Sequence, residues 1–247
     1  MIFRQLLHAS PAIGASYLFG CSSKSACAVV DPMEAPRTYR DMANEFGMQI
    51  THVIDTHVHA DHLSTGRELA SLTGAAYVLH ADVEAEFDFE GVRDGDRITL
   101  GNTRIDVMHL PGHTPEHIGL LVSDHSRTPD PWFVVTGHTL MVGDMGRTEL
   151  ASSAEDGARA LFHSAERLWT LGDHLEVMPG AFAGSVCGRG LSGKASSTIG
   201  FERYHNRAFS IRDERAFVDH MVSSIPPQPP NASATRGANL GRVAVGV

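Results

Sequence analysis

Four residues within six positions, in the run His57-Val58-His59-Ala60-Asp61-His62, carry side chains that bind metal ions. Imidazole and carboxylate groups hold Zn²⁺ or Fe²⁺ at about 2.0 to 2.2 Å, so their donors must converge within a few ångströms. A tight loop at the end of a strand achieves this more easily than a solvent-facing helix. Metal sites also recruit ligands far away in sequence, and two more histidines stand at sharp exits from strands: His113 in Leu110-Pro111-Gly112-His113-Thr114 and His138 in Thr136-Gly137-His138-Thr139. His109 and His117 flank the first of these turns, where an imidazole can orient a ligand by hydrogen bonding. His8, His52, His80, His125, His163, His174, His205 and His220 match no ligand pattern and read as surface or packed residues.

The elements that must position these groups follow from periodicity and turn chemistry. Ile2–His8, Ala15–Phe19 and Ala26–Val30 read as short strands of a β-meander. Helical spacing runs from Arg37 to Phe46 and is closed by Gly47; His52–Thr56 is then a buried strand that delivers the histidine run. His62–Leu72 reads as a helix ended by Gly74, and Ala75–His80 as the next strand. A Gly101-Asn102 turn joins two alternating strands, Ile118–Val122 and Trp132–Val135 read as central strands, and Ala154–Leu171 is the clearest amphipathic helix. Strands followed by helices in each half predict two packed sheets with helices outside, in one domain over residues 1–222. The remainder, 223–247, shifts to Pro, Ser, Ala, Gly and Asn and reads as a disordered tail.

Composition narrows the partners. The formal charge of −9, from 29 acidic against 20 basic residues, disfavours nucleic acid, whose binding rests on clustered Lys and Arg. No apolar run approaches the ~20 residues of a membrane span. Leu18-Phe19-Gly20-Cys21 imitates a lipoprotein cleavage box, but Gln5, His8, Ser10 and Pro11 interrupt the apolar stretch that should precede it. Cys21, Cys27 and Cys187 are an odd count at spacings of neither a zinc knuckle nor a disulfide framework, which fits a reducing cytoplasm. Cys187 itself, in Gly-Ser-Val-Cys-Gly, reads as a small packed residue with no catalytic role, and Asp144 as a structural carboxylate.

Together His57–His62, Pro111-Gly-His-Thr114, Thr136-Gly-His-Thr-Leu140 and Gly143-Asp-Met-Gly-Arg147 resemble, in order and spacing over about 200 residues, the motifs of the metallo-β-lactamase superfamily. Gly184-Ser-Val-Cys-Gly188, Ser196–Arg203 and His205-Asn206 resemble the corresponding segment of its bacterial persulfide dioxygenases and their rhodanese-linked relatives. The resemblance implies the α/β fold known as the four-layer αββα sandwich, with the metal at one edge of the two sheets. It places the family's two histidines and one aspartate on His57, His113 and His138, so the aspartate is replaced by an imidazole. A final histidine that the superfamily's hydrolases carry is replaced in Pro179-Gly180-Ala181-Phe182.

These departures predict one metal, held by His57, His113 and His138, with His59 a fourth ligand or close neighbour, and Asp61 and His62 as proton-handling catalytic groups. The implied reaction is oxidation of glutathione persulfide, or a similar small persulfide, by O₂ to sulfite and thiol, using one Fe²⁺ per chain. Arg147 is expected to pair with a substrate carboxylate, with Arg203 and Tyr204 as further contacts. The alternatives are a single-Zn²⁺ hydrolase of a thioester or lactone, and a silent paralogue that kept only the fold. Such sandwiches often leave an apolar face, so a homodimer is a further expectation, as is a link to a sulfurtransferase that supplies substrate.

Overall fold

A computed structural model describes residues 1–223, 225–229 and 231–242. The first sheet runs β1 (Ile2–His8), β2 (Gly14–Cys21), β3 (Ala26–Val30), β4 (Gln49–Ile54), β5 (Ala76–His80) and β6 (Glu90–Val92), side by side in chain order. β1 to β3 form the expected antiparallel meander, and β3 to β6 pair in parallel. Helices α1 (Pro36–Glu45) and α2 (Gly66–Thr73) make the crossovers on either side of β4. The lipoprotein-like Leu18–Cys21 is the end of β2, a strand buried along its whole length.

The second sheet is built from β7 (Arg97–Leu100), β8 (Thr103–His109), β9 (Ile118–Asp124) and β10 (Pro131–Gly137), all antiparallel. A two-strand ribbon, β11 (Leu140–Met141) and β12 (Asp144–Met145), leads into α3 (Ala154–Trp169). Ser153 caps this helix by accepting the Asp156 amide, which satisfies one of the free N–H groups every helix start carries. β13 (Glu176–Pro179) then returns parallel to β10, β14 (Ser197–Thr198) pairs with β13, and α4 (Ile199–His205) and α5 (Glu214–Val222) follow.

Three apolar clusters define four layers. Tyr17, Phe19, Ile54, Leu120, Val122 and Phe133 fill the space between the sheets. Tyr39, Val53 and Leu69 pack the first helical layer onto the outer face of one sheet, and Leu161, Phe162, Val177 and Phe217 pack the second onto the other. This is the αββα sandwich. Tyr17, Phe19 and Leu161 are fully buried, each contributing on the order of 1.5–3 kcal/mol of transfer free energy.

Two elements differ from the sequence reading. α2 starts at Gly66, not at His62, because the backbone groups of His62 and Ser64 are taken by the side chain of Asn239. Of the segment expected to be a disordered tail, 223–247, residues 224, 230 and 243–247 lie outside the described residues, and the described ones carry α6 (Ala232–Asn239). Its composition is poor in apolar residues, but Leu240 is buried and Arg236 and Asn239 find partners in the histidine loop. Tertiary hydrogen bonds here replace the local propensity that the composition lacks.

Candidate metal centre

Parallel pairing brings chemically active residues to one edge of the sandwich. β3 and β4 are in register at Val30 and Ile54, so the residues that follow, Asp31 and Asp55-Thr56-His57, emerge side by side. β8 and β9 close a hairpin whose loop carries His113 and His117. β10 and β13 are in register at Gly137 and Pro179, so His138 and Gly180 leave the second sheet together. The amide of Ile118 donates to the Thr56 carbonyl at 2.8 Å and ties the two edges to each other.

Hydrogen bonds set which nitrogen of each imidazole faces inward. The Thr56 hydroxyl donates to Asp31 Oδ2 at 2.9 Å, so it must accept from His57 Nδ1 at 3.0 Å. His57 Nε2 is then the bare nitrogen, and it is buried without a partner. His113 Nδ1 donates to the Arg147 carbonyl at 2.8 Å, turning its Nε2 toward His138 Nδ1, 3.2 Å away. Two nitrogens on one tetrahedral ion lie about 3.3 Å apart, given metal–nitrogen bonds of about 2.0 to 2.1 Å. His57, His113 and His138 each present one donor, all within 4.8 Å of one another.

His117 places His138 without joining this set. Its Nδ1 donates to Thr139 Oγ1 at 3.1 Å, since that hydroxyl gives its own proton to the Leu110 carbonyl. Its Nε2 accepts the His138 backbone amide at 3.0 Å. Gly137 makes the approach feasible: its φ is +50°, and a Cβ there would stand 2.5 Å from His117 Nε2 and 2.7 Å from Thr56 Oγ1.

A second group lies against the first. His59 Nε2 donates to Asp31 Oδ1 at 3.2 Å and His62 Nδ1 donates to Asp61 Oδ1 at 3.0 Å, leaving His59 Nδ1 and His62 Nε2 buried and unpartnered. With the Asp61 carboxylate these atoms also fall within 4.8 Å of one another. His59 therefore groups with Asp61 and His62, while its ring centroid stays 4.2 Å from that of His57.

Electrostatics separate the two groups. Burial, reinforced by neighbouring imidazoles, pushes His57 well below the usual histidine value and His113 down to about 3; burial takes His138 down to about 4. All three are neutral at pH 7, the form that ligates metal. Burial alone would lower His59 too, but Asp31, Asp55 and Asp61 raise it to about 9. Burial works against the Asp61 carboxylate as well, yet His62 and the charges around it hold it well below the ordinary range. Asp55, raised by burial, receives the Tyr77 hydroxyl at 2.6 Å.

The loop backbone is held from outside. Asn239 Nδ2 donates to the carbonyls of His59 at 2.8 Å and His62 at 2.9 Å, and its Oδ1 accepts the Ser64 amide at 3.0 Å. Arg236 donates to the Val58 carbonyl at 2.8 Å and pairs through both terminal nitrogens with Glu116, which accepts the Val58 amide.

The substrate contacts expected from sequence are otherwise engaged. Arg147 is 4 % exposed, pairs with Glu149, and donates to the carbonyls of Val186, Pro226 and Pro227. It cross-links loops and has no face toward a ligand carboxylate. Arg203 pairs with Asp173 and caps the carbonyls of Trp169 and Leu171 at the end of α3. Tyr204 is 74 % exposed on α4, a helix that packs against α3 and β14. Asp144, read as a structural carboxylate, pairs with Arg189. Sequence reasoning missed Asp31, Thr56, Glu116, Arg236 and Asn239. Only Asp31 and Thr56 carried a local signal, as polar residues at the ends of strands that run into the site.

The metallo-β-lactamase superfamily profile matches residues 9–180. The chain belongs to that superfamily. The mitochondrial persulfide dioxygenase ETHE1 of Homo sapiens is 28 % identical over 229 residues, covering 91 % of this chain and 82 % of the relative. A metallo-beta-lactamase of Staphylococcus aureus subsp. aureus COL superposes with a TM-score of 0.92 at 32 % identity, over all of this chain and 74 % of that one. ETHE1 from Myxococcus xanthus superposes with a TM-score of 0.84 at 29 % identity, over 98 % of this chain and 100 % of that one.

Proposed function

We propose that this superfamily member is a persulfide dioxygenase using one Fe²⁺ held by His57, His113 and His138. The observation that carries the reading is the trio of neutral, inward-facing imidazole nitrogens, in a chain similar along 91 % of its length to a human persulfide dioxygenase. The donor set fits the ion: imidazole suits ferrous iron, and three ligands on one side leave positions open on the other. When bound, ferrous iron supplies the electron transfer to O₂ that a closed-shell thiol cannot make by itself.

The balanced reaction is RSSH + O₂ + H₂O giving RSH, sulfite and two protons, so the chain must handle protons beside the sulfur. Asp61 and His62, joined by their 3.0 Å hydrogen bond, stand next to the three histidines and serve as that relay. His59, fixed by Asp31, supplies a positive imidazolium that favours an anionic persulfide at the site. Arg147 and Arg203 have no place in substrate binding in this reading. A sulfurtransferase is the class of enzyme that would supply the persulfide.

One observation favours a second reading. Three neutral imidazoles also form the donor set on which Zn²⁺ ionises a water near pH ~7, with Asp61 as the neighbouring base for thioester or lactone hydrolysis. The test is anaerobic purification without added metal, metal analysis per chain, and O₂ uptake with glutathione persulfide. About one iron per chain with persulfide-dependent O₂ consumption, lost in His57→Ala and His138→Ala, supports the dioxygenase. Zinc with thioester cleavage and no O₂ uptake overturns it in favour of the hydrolase, and a chain that takes up neither metal overturns both.

A further inference from the structure

A closed ring of hydrogen bonds lies between the first sheet and α1. Tyr39, on α1, accepts the backbone amides of Met33 at 2.9 Å and Glu34 at 3.1 Å, so its hydroxyl proton goes to Ser16 Oγ of β2, 2.8 Å away. Ser16 then gives its own proton to His8 Nε2, at the end of β1, at 2.7 Å. With Nε2 accepting, the neutral imidazole carries its proton on Nδ1 and donates it to Glu34 Oε1 at 3.2 Å. Glu34 supplied one of the amides on Tyr39, so the ring closes on itself. Burial holds His8 below the usual histidine value against the pull of Glu34, which keeps Nε2 an acceptor at neutral pH. Ser16, His8 and Glu34 stand in the order of a nucleophilic triad, but Ser16 is fully buried inside its strand and no substrate reaches its hydroxyl.

What the ring holds is the loop between β3 and α1. That loop begins at Asp31, whose φ of +49° lies in the left-handed region that a residue other than glycine keeps only when its surroundings impose it. The surroundings do so here: the Asp31 amide donates to the Ile54 carbonyl at 2.9 Å, Thr65 donates to the carbonyls of Pro32 and Glu34, and Tyr39 fixes the amides of Met33 and Glu34. In this conformation the Asp31 carboxylate accepts the Thr56 amide and hydroxyl and His59 Nε2. We propose that His8 is a positioning residue for the metal centre: it completes the ring that locks the Asp31 loop, and Asp31 aims His57 through Thr56 and holds His59 directly. A histidine that matches no ligand pattern in the sequence thus acts on the ligands from outside the site. Without its imidazole the Ser16 proton has no acceptor and the Glu34 carboxylate no donor, so the ring opens at two joints and Tyr39 is no longer aimed at both loop amides. The inference rests on the metal-centre reading, but on neither the identity of the ion nor the reaction.

The test is chelator competition for Zn²⁺ on the full chain, paired with the visible ligand-field spectrum of the Co²⁺-loaded protein; neither readout depends on turnover. His8→Ala should weaken Zn²⁺ binding by about 10-fold and shift the cobalt band, because the ligands converge less tightly. His8→Gln, which offers one acceptor and one donor on a single side chain, should return the affinity to within about threefold of wild type, whereas His8→Leu, which fills the space without either, should stay near the alanine value. Ser16→Ala opens the ring at another joint; it serves should His8→Ala fail to fold, and must weaken binding likewise. Wild-type affinity in a folded His8→Ala or Ser16→Ala, or equal recovery by leucine and glutamine, overturns the proposal and leaves the metal centre standing. A wild type that binds neither ion overturns it together with the metal centre.

Discussion

Asn239→Ala should loosen the metal loop from a helix that the loop meets only in the folded chain. The substitution removes three hydrogen bonds, to the carbonyls of His59 and His62 and from the Ser64 amide. At about 1 kcal/mol net each, the loss is about 3 kcal/mol. For a chain of this size, ~1 kcal/mol corresponds to about 2–4 °C, so the melting temperature should fall by about 6–12 °C. Part of the cost should appear as metal affinity, because the released carbonyls hold in place the loop that begins at the metal ligand His57. Loss of groups that orient ligands typically weakens binding by about 10- to 100-fold. The assay pairs thermal unfolding of the metal-free protein with competitive chelator titration of Zn²⁺ or Fe²⁺. Asn239→Asp provides the discriminating control: it keeps the acceptor for Ser64 but sets a carboxylate against two carbonyl oxygens, so it should bind metal more weakly than the alanine form. A lower melting temperature with metal affinity within twofold of wild type would refute the positioning argument and leave only a structural role.

Three further outcomes follow from the same geometry. Thr56→Val breaks the Asp31–Thr56–His57 chain that keeps His57 Nε2 bare, and should weaken metal binding by about 10-fold or more; unchanged affinity by chelator competition would count against the tautomer assignment. In metal-free protein the unfolded chain takes up protons that buried His57, His113 and His138 refuse, because their folded pKa values lie below 6.5. Stability should therefore be full above about 6.5 and fall as pH drops toward 4, by up to about 1.4 kcal/mol per histidine per pH unit. His59 acts oppositely: raised to about 9, it contributes stability that is fully present below 6.5 and lost as pH rises through 9. Urea midpoints at pH 5, 6.5 and 9 check both signs, and a flat profile would contradict them. Arg147→Ala leaves the part-buried Glu149 carboxylate and the Val186, Pro226 and Pro227 carbonyls without their donor and should cost about 3 kcal/mol of stability, while KM per folded molecule stays near wild type; a large rise in KM without loss of stability would restore Arg147 to substrate binding.

The histidine run, the two distant strand-end histidines and the layered architecture were legible in the sequence because each is a local matter. Alternation and turn residues mark the strands, and a strand end is where ligands can converge, so His57, His113 and His138 stand out as candidates, and the family resemblance joins them into one set. The orientation of those imidazoles was not legible. It depends on Asp31, acting through Thr56 on His57, and on the Arg147 carbonyl, which receives His113, groups brought to their histidines by strand register and loop packing.

Tertiary structure alone decided the fates of Arg147, Cys187 and the chain after Ser223. Arg147 sits in a glycine-bearing turn that suited ligand binding, but Glu149 and three loop carbonyls take its guanidinium donors. Cys187 carried no spacing signal, since its neighbours Asp61 and His138 come from other strand ends. The last segment lacks the apolar periodicity from which a helix is read, and α6 forms because Arg236 and Asn239 meet backbone groups of the histidine loop that water would otherwise hold. Local sequence specifies which side chains can do chemistry and roughly where they emerge; long-range pairing decides which atoms they present and which residues remain free to act.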